Sequence, residues 1–135
     1  MTTGIFDGIE PIHTYTRAQA INDGVLIDVT PMAREAGFNF PCALTAAAHA
    51  EAVAWDGEND AFQQETGRLW DVLTMARVSA YGASRRTTSD RAALKVLRIP
   101  NRPHAQEATL TTLHLHIGPG DTRAPVLTIM TPGED

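Results

Sequence analysis

Apolar residues recur at helical spacing in the first half of the chain and at strand spacing in the second. Thr16 and Gln19 stand at the spacing of a capping box, which predicts a short helix over Arg17–Asp23 with Tyr15 as a staple and Gly24 as its stop. Val25–Val29 is a brief apolar run read as extended, with Asp28 inside it. Thr30 and Pro31 then open a second helix that Gly37 ends. Leu44, Ala48, Ala52 and Trp55 make one narrow face and predict a third helix over Cys42–Trp55. A fourth runs over Gly67–Tyr81, with Leu69, Val72, Leu73, Ala76 and Ala80 as its main stripe, and the alternation over Gly67–Leu73 leaves a strand open for its first few residues. Trp70, Arg77 and Tyr81 on a second side imply burial on more than one side. Gly82–Asp90 is polar and reads as a mobile loop. Three strands follow, over Ala92–Ile99, Thr109–Ile117 and Pro125–Thr131, with a Gly118-Pro119-Gly120-Asp121 turn before the last. Consecutive strands joined by turns predict an antiparallel meander. The fold class expected is α+β, a single compact domain over 1–135 with a helical N-terminal half packed on a small C-terminal antiparallel sheet.

Composition narrows the class. A chain of 135 residues suits one domain, and 43% apolar residues can fill a core, although 20 of those residues are alanine. No stretch approaches the roughly 20 apolar residues that a membrane span requires. The opening MTTGIFDGIEP lacks the basic flank and apolar centre of a secretory signal. One cysteine makes neither an internal disulfide nor a multi-cysteine zinc site. The expectation is a soluble, cytoplasmic protein without a cofactor.

Charge changes the picture more. Seven basic residues face one acid between Arg77 and Arg102, while the rest of the chain holds four basic and fifteen acidic residues, for a net charge of -5. Such a segment attracts an acidic partner surface or phosphate. A contact through Arg77, Arg85, Arg86, Arg91 and Arg98, with Trp70 and Tyr81 as aromatic anchors, has the residue types that contribute most at interfaces. The competing reading is a solvated basic face that compensates an acidic body. Aromatics are only 6%, and no nucleic-acid motif is present, which weakens but leaves open a nucleic-acid reading of the 77–102 segment.

Few constellations suggest chemistry. Cys42, at the start of a predicted helix, would have a lowered thiol pKa, and His114 or His116 would serve as its base, oriented by Asp28 or Asp121. The bland reading of Cys42 is a small buried apolar residue. His114 and His116 share one strand face and would direct two imidazoles at a metal, with a third ligand to come from His104, His49 or a carboxylate. Asp28 in an apolar run calls for a partner, such as Arg17, Arg34 or Arg68. The glycine-rich turn lacks the lysine and hydroxyl of a phosphate loop. The acidic tail Thr131–Asp135 reads as a frayed end or a short interaction tail.

Three blocks carry a resemblance: YTRAQAINDGVLIDVTPMAREAGFNFPCALT over Tyr15–Thr45, GRLWDVLTMA over Gly67–Ala76, and GPGD with TIMTPGED at the end. The chain resembles the DUF6573 family of small uncharacterised bacterial, plasmid and phage proteins. That resemblance implies a mobile-element setting and no defined activity. Cys42 stands where the family usually has valine, which argues against a shared cysteine mechanism. The reading taken forward is a non-enzymatic accessory that binds an unidentified protein. A small Cys/His hydrolase or transferase, and nucleic-acid binding, are the alternatives. Homodimerisation through a strand edge is compatible with all three.

Overall fold

The computed structural model describes residues 15–56, 63–86 and 91–134, with 82–86 by backbone alone. Its elements are α1 (Arg17–Asn22), β1 (Leu26–Asp28), α2 (Thr30–Glu35), β2 (Cys42–Thr45), α3 (Ala46–Ala52), α4 (Glu65–Arg86), β3 (Arg91–Arg98), β4 (Thr109–Pro119) and β5 (Pro125–Met130). The fold is α+β. The three C-terminal strands form the expected antiparallel meander, and β1 and β2 extend it to a five-stranded mixed sheet in the order β1-β2-β5-β4-β3. β2 and β5 run parallel, which a meander alone does not provide.

The register separates two faces. Leu44, Ile129 and Leu115 lie side by side across β2, β5 and β4, and Leu94 lies beside Leu113 across β3 and β4. All five are essentially inaccessible. Val72, Leu73 and Ala76 of α4, with Ala33 of α2 and Ala48 and Ala52 of α3, close over this face. The predicted α4 stripe is therefore the core contact. Burying such side chains stabilises the fold by about 1.5–3 kcal/mol each for the larger ones.

The segment Cys42–Thr45 is a strand and not the start of a helix. Its helical spacing is overridden by burial, because Cys42, Ala43 and Leu44 are inaccessible between β1 and β5. Thr45 then caps the shorter α3, its hydroxyl accepting from the Ala48 amide at 3.1 Å. Helix α4 runs on to Arg86, so residues 82–86 are helical where a loop is expected from composition. Residues 87–90 of that loop lie outside the described residues.

Polar side chains pin the short elements. The Thr16–Gln19 capping box forms as predicted. Tyr15 lies along α1, where its hydroxyl donates to Asp23 at the helix end at 2.7 Å. Asp28 is exposed and, among the described residues, has no arginine in hydrogen-bond reach, although its charge acts on Arg17; its Oδ1 accepts from the Thr30 hydroxyl at 2.6 Å and the Thr30 amide at 3.2 Å, fixing the start of α2. The tail is tied down, because one Glu134 oxygen accepts from the Thr131 amide and from the hydroxyls of Thr131 and Thr45.

Candidate interaction surface

Helix α4 meets water over the side opposite its core stripe. At about 100° per residue, Trp70, Thr74, Val78 and Tyr81 fall in one narrow wedge. Val78 and Tyr81 are 59% and 64% exposed, and Trp70 is 41% exposed, so the second apolar side of α4 is a surface and not a second core contact. Strand β3 ends the sheet beside this helix. Leu97 on β3 and Leu110 on β4 are cross-strand partners on the face away from the core, each 60% exposed. A groove of about 410 Å3 follows the β3 edge, lined by Trp70, Thr74 and Met75 of α4 with Lys95, Val96 and Leu97 of β3.

An ion pair is part of the lining of that groove. Arg98 is buried on the core side of β3 and donates to Asp71 at 2.8 Å across to α4. Its other guanidinium nitrogens donate to the carbonyls of Ala52, Arg68 and Leu97. Arg98 is thus a structural tie, and its expected place on the exposed basic side is corrected by its position at a buried register site. Arg68 is its buried neighbour, donating to the carbonyls of Val53 and Ile99, with its guanidinium 4.9 Å from the Trp55 ring. Burial lowers the Arg68 pKa, Arg98 lowers it further, and Glu65 opposes both. The Arg68 Nη2 is buried without a hydrogen-bond partner among the described residues.

The remaining predicted contact residues divide. Arg91 and Lys95 are exposed on β3, and Arg91 reaches the Met130 sulfur at 4.0 Å. Arg77 is exposed but turned toward α2, where it donates to the Ala36 carbonyl at 3.1 Å. Arg85 and Arg86 end α4, and their side chains lie outside the described residues. Met75, Leu97 and Leu110 carry no motif in the sequence, and Lys95 stands there as one of the basic residues of the 77–102 segment. Leu97 and Leu110 had a signal there, since each breaks the polar register of its strand.

The residues considered for chemistry do not meet. Cys42 belongs to the core cluster and pairs with Leu127, which pairs with Ile117. His114 and His116 alternate with Leu113, Leu115 and Ile117 and so face the other way. The sheet itself separates thiol from imidazole. Burial pushes the Cys42 thiol up to about 12, Arg17 acts against that rise and Asp28 adds to it. No helix N-terminus lowers it, because Cys42 is in a strand. Asp28 shares the histidine face but sits three strand spacings from β4, roughly 14 Å. Among the described residues no group of three His, Cys, Asp or Glu side chains is placed to hold a metal. Asp121 has another task, accepting from the amides of Arg17 and Ala18 at 2.8 and 3.1 Å.

A family model described as "Family of unknown function (DUF6573)" matches residues 2–135. The chain belongs to this family. No curated protein and no solved structure matches it. DUF6573 membership therefore assigns the lineage of this fold and leaves its role to be argued from the surface. Among the described residues no helix is long and apolar enough to cross a membrane.

Proposed function

We propose that this DUF6573 protein is a cytoplasmic, non-enzymatic accessory that binds another protein through the exposed side of α4 and the edge of β3. The observation that carries the reading is the apolar groove of Trp70, Met75, Val96 and Leu97, which the cation Lys95 also lines, with Arg91 exposed farther along the same strand. Exposed aromatic and long apolar groups beside cations have the makings of an interface core with a charged rim. A solvated basic face would not need Trp70, Val78, Tyr81, Leu97 and Leu110 in water together. The mechanism is occlusion or scaffolding of the partner. A mobile-element role, in which such an accessory alters a host or element process, is compatible with it.

Nucleic acid is the less favoured ligand, because the groove is lined mainly by apolar groups and a phosphate backbone would meet one exposed lysine, Lys95, in it. Cysteine–histidine chemistry has the sheet between its groups. The test is capture from nuclease-treated bacterial lysate with the wild type, a Trp70→Ser/Leu97→Ser variant and a Val25→Ser control, Val25 being an exposed residue beside β1. A protein retained by wild type and control but lost by the groove variant is the expected result. Identical captures from all three would overturn the reading.

A further inference from the structure

We infer that the groove receives an extended peptide segment as a sixth strand on β3, and that this segment alternates apolar and acidic residues. The inference rests on the interaction reading above and adds the mode and chemistry of the partner. β3 has eight residues and pairs with β4 along one edge only among the described strands. A strand edge of that length offers a row of backbone donors and acceptors. The opposite edge of the sheet, β1, has three residues and cannot offer a comparable ladder.

The side chains of β3 set the pattern of what is added. Arg91, Ala93, Lys95 and Leu97 are exposed on the outer face, and Leu94, Val96 and Arg98 are buried on the face toward α4. An added strand alternates in the same way. Its residues on the α4 side enter the apolar groove against Trp70, Met75 and Val96. Its residues on the outer face lie beside Lys95, where a carboxylate is favoured, and at the start of β3 beside Arg91, whose guanidinium reaches across β4 to Met130. β3 contains no acid of its own. A second copy of the chain is the disfavoured occupant for that reason. Any β3–β3 pair would place two sets of Arg91 and Lys95 along one edge, and like charges across strands are destabilising. The cations that guard the edge against self-pairing thus select an acidic strand.

The experiment uses the full chain and a capped peptide of about eight residues, a typical strand length, alternating valine and glutamate. The same peptide with lysine for glutamate is the comparison. Amide hydrogen exchange is followed across Arg91–Arg98. At peptide concentrations ten times Kd, exchange at alternate β3 amides should slow by about tenfold, and the lysine peptide should give no protection. In Arg91→Glu/Lys95→Glu the preference should reverse. Met75→Ser, which leaves the β3 charges intact, should weaken the acidic peptide without reversing it. Protection elsewhere with none on β3 would overturn the inference, as would equal protection by both peptides. Protection that rises with protein concentration alone would show self-pairing and overturn it too. A host protein lost by the Trp70→Ser/Leu97→Ser variant, with no β3 protection by the acidic peptide, would sink the strand mode and leave the interaction reading standing.

Discussion

The Asp121 carboxylate holds the backbone of Arg17 from more than a hundred residues away in the chain. Its two oxygens accept from the Arg17 and Ala18 amides, so the β4–β5 turn closes the start of α1. The Arg17 side chain returns to the sheet, donating to the Thr128 hydroxyl at 2.8 Å and the Leu127 carbonyl at 2.6 Å. A six-residue helix is marginal alone, and this exchange anchors it to β5.

Those amide bonds pull the Asp121 pKa below its ordinary value near 3.8, against a small opposing effect of desolvation. A carboxyl depressed in the folded state adds stability that is complete above its ordinary value. That contribution is lost as pH falls through the lower, folded value. Asp121→Ala should therefore be less stable than wild type to urea at pH 7, and the difference should shrink progressively below pH 3.8. A difference that stays constant from pH 7 to the acid limit would show that the carboxylate charge is not involved.

Much of this frame is readable from local pattern. The Thr16–Gln19 capping box, the α4 core stripe and the alternation in β4 all appear in the structure where their spacing puts them. Each depends on neighbours within a few residues. What local pattern misses depends on distant partners. Cys42–Thr45 has helical spacing and alanine-rich flanks, yet it is the strand that joins β1 to β5 through a parallel pairing about 85 residues apart in the chain. Arg98 looks like one more surface cation until register places it inward. The groove needs Leu97, Leu110 and Trp70 from three elements, and no single window contains them.

Cys42 should be an inert thiol. It is fully buried, and its pKa is raised from about 9 to about 12. Native protein at pH 8 should react with a thiol reagent only through unfolding, while urea-unfolded protein reacts fully. A pKa raised in the folded state contributes stability that is present below the ordinary value and lost as pH rises. Stability should therefore decline between about pH 9 and 12 in the wild type beyond the decline seen in Cys42→Val. Rapid labelling under native conditions would contradict the core placement.

Gly37 and Arg77 are coupled. Gly37 has a φ of 108°, and a Cβ there would collide with the Arg77 guanidinium that reaches the Ala36 carbonyl. Gly37→Ala should cost about 1–3 kcal/mol from backbone strain and the clash together. In a double-mutant cycle with Arg77→Ala, only the clash is relieved, so the two losses should sum to more than the loss in the double variant. Strict additivity, measured by thermal or urea unfolding, would mean that Arg77 moves aside freely.

The Arg98–Asp71 tie joins the edge strand to α4 and is part of the lining of the groove. Its two ends are unequal: the Arg98 side chain is 8% exposed and that of Asp71 is 57% exposed. Removing the carboxylate leaves Arg98 buried but still bonded to three carbonyls, so Asp71→Asn should cost about 1 kcal/mol, within the range for a partly exposed pair. Removing the guanidinium strands the carbonyl of Ala52 at the end of α3, at about 1–3 kcal/mol if water fails to reach it, while the Arg68 carbonyl lies within α4. Arg98→Met should accordingly be the more damaging change, although methionine fills much of the same apolar volume. Binding reads the opposite way. Asp71→Asn removes the acid from a groove that otherwise presents cations to an acidic strand, so it should strengthen the acidic peptide while slightly destabilising the fold. A parallel loss of stability and affinity in Asp71→Asn would show instead that recognition depends on the ion pair.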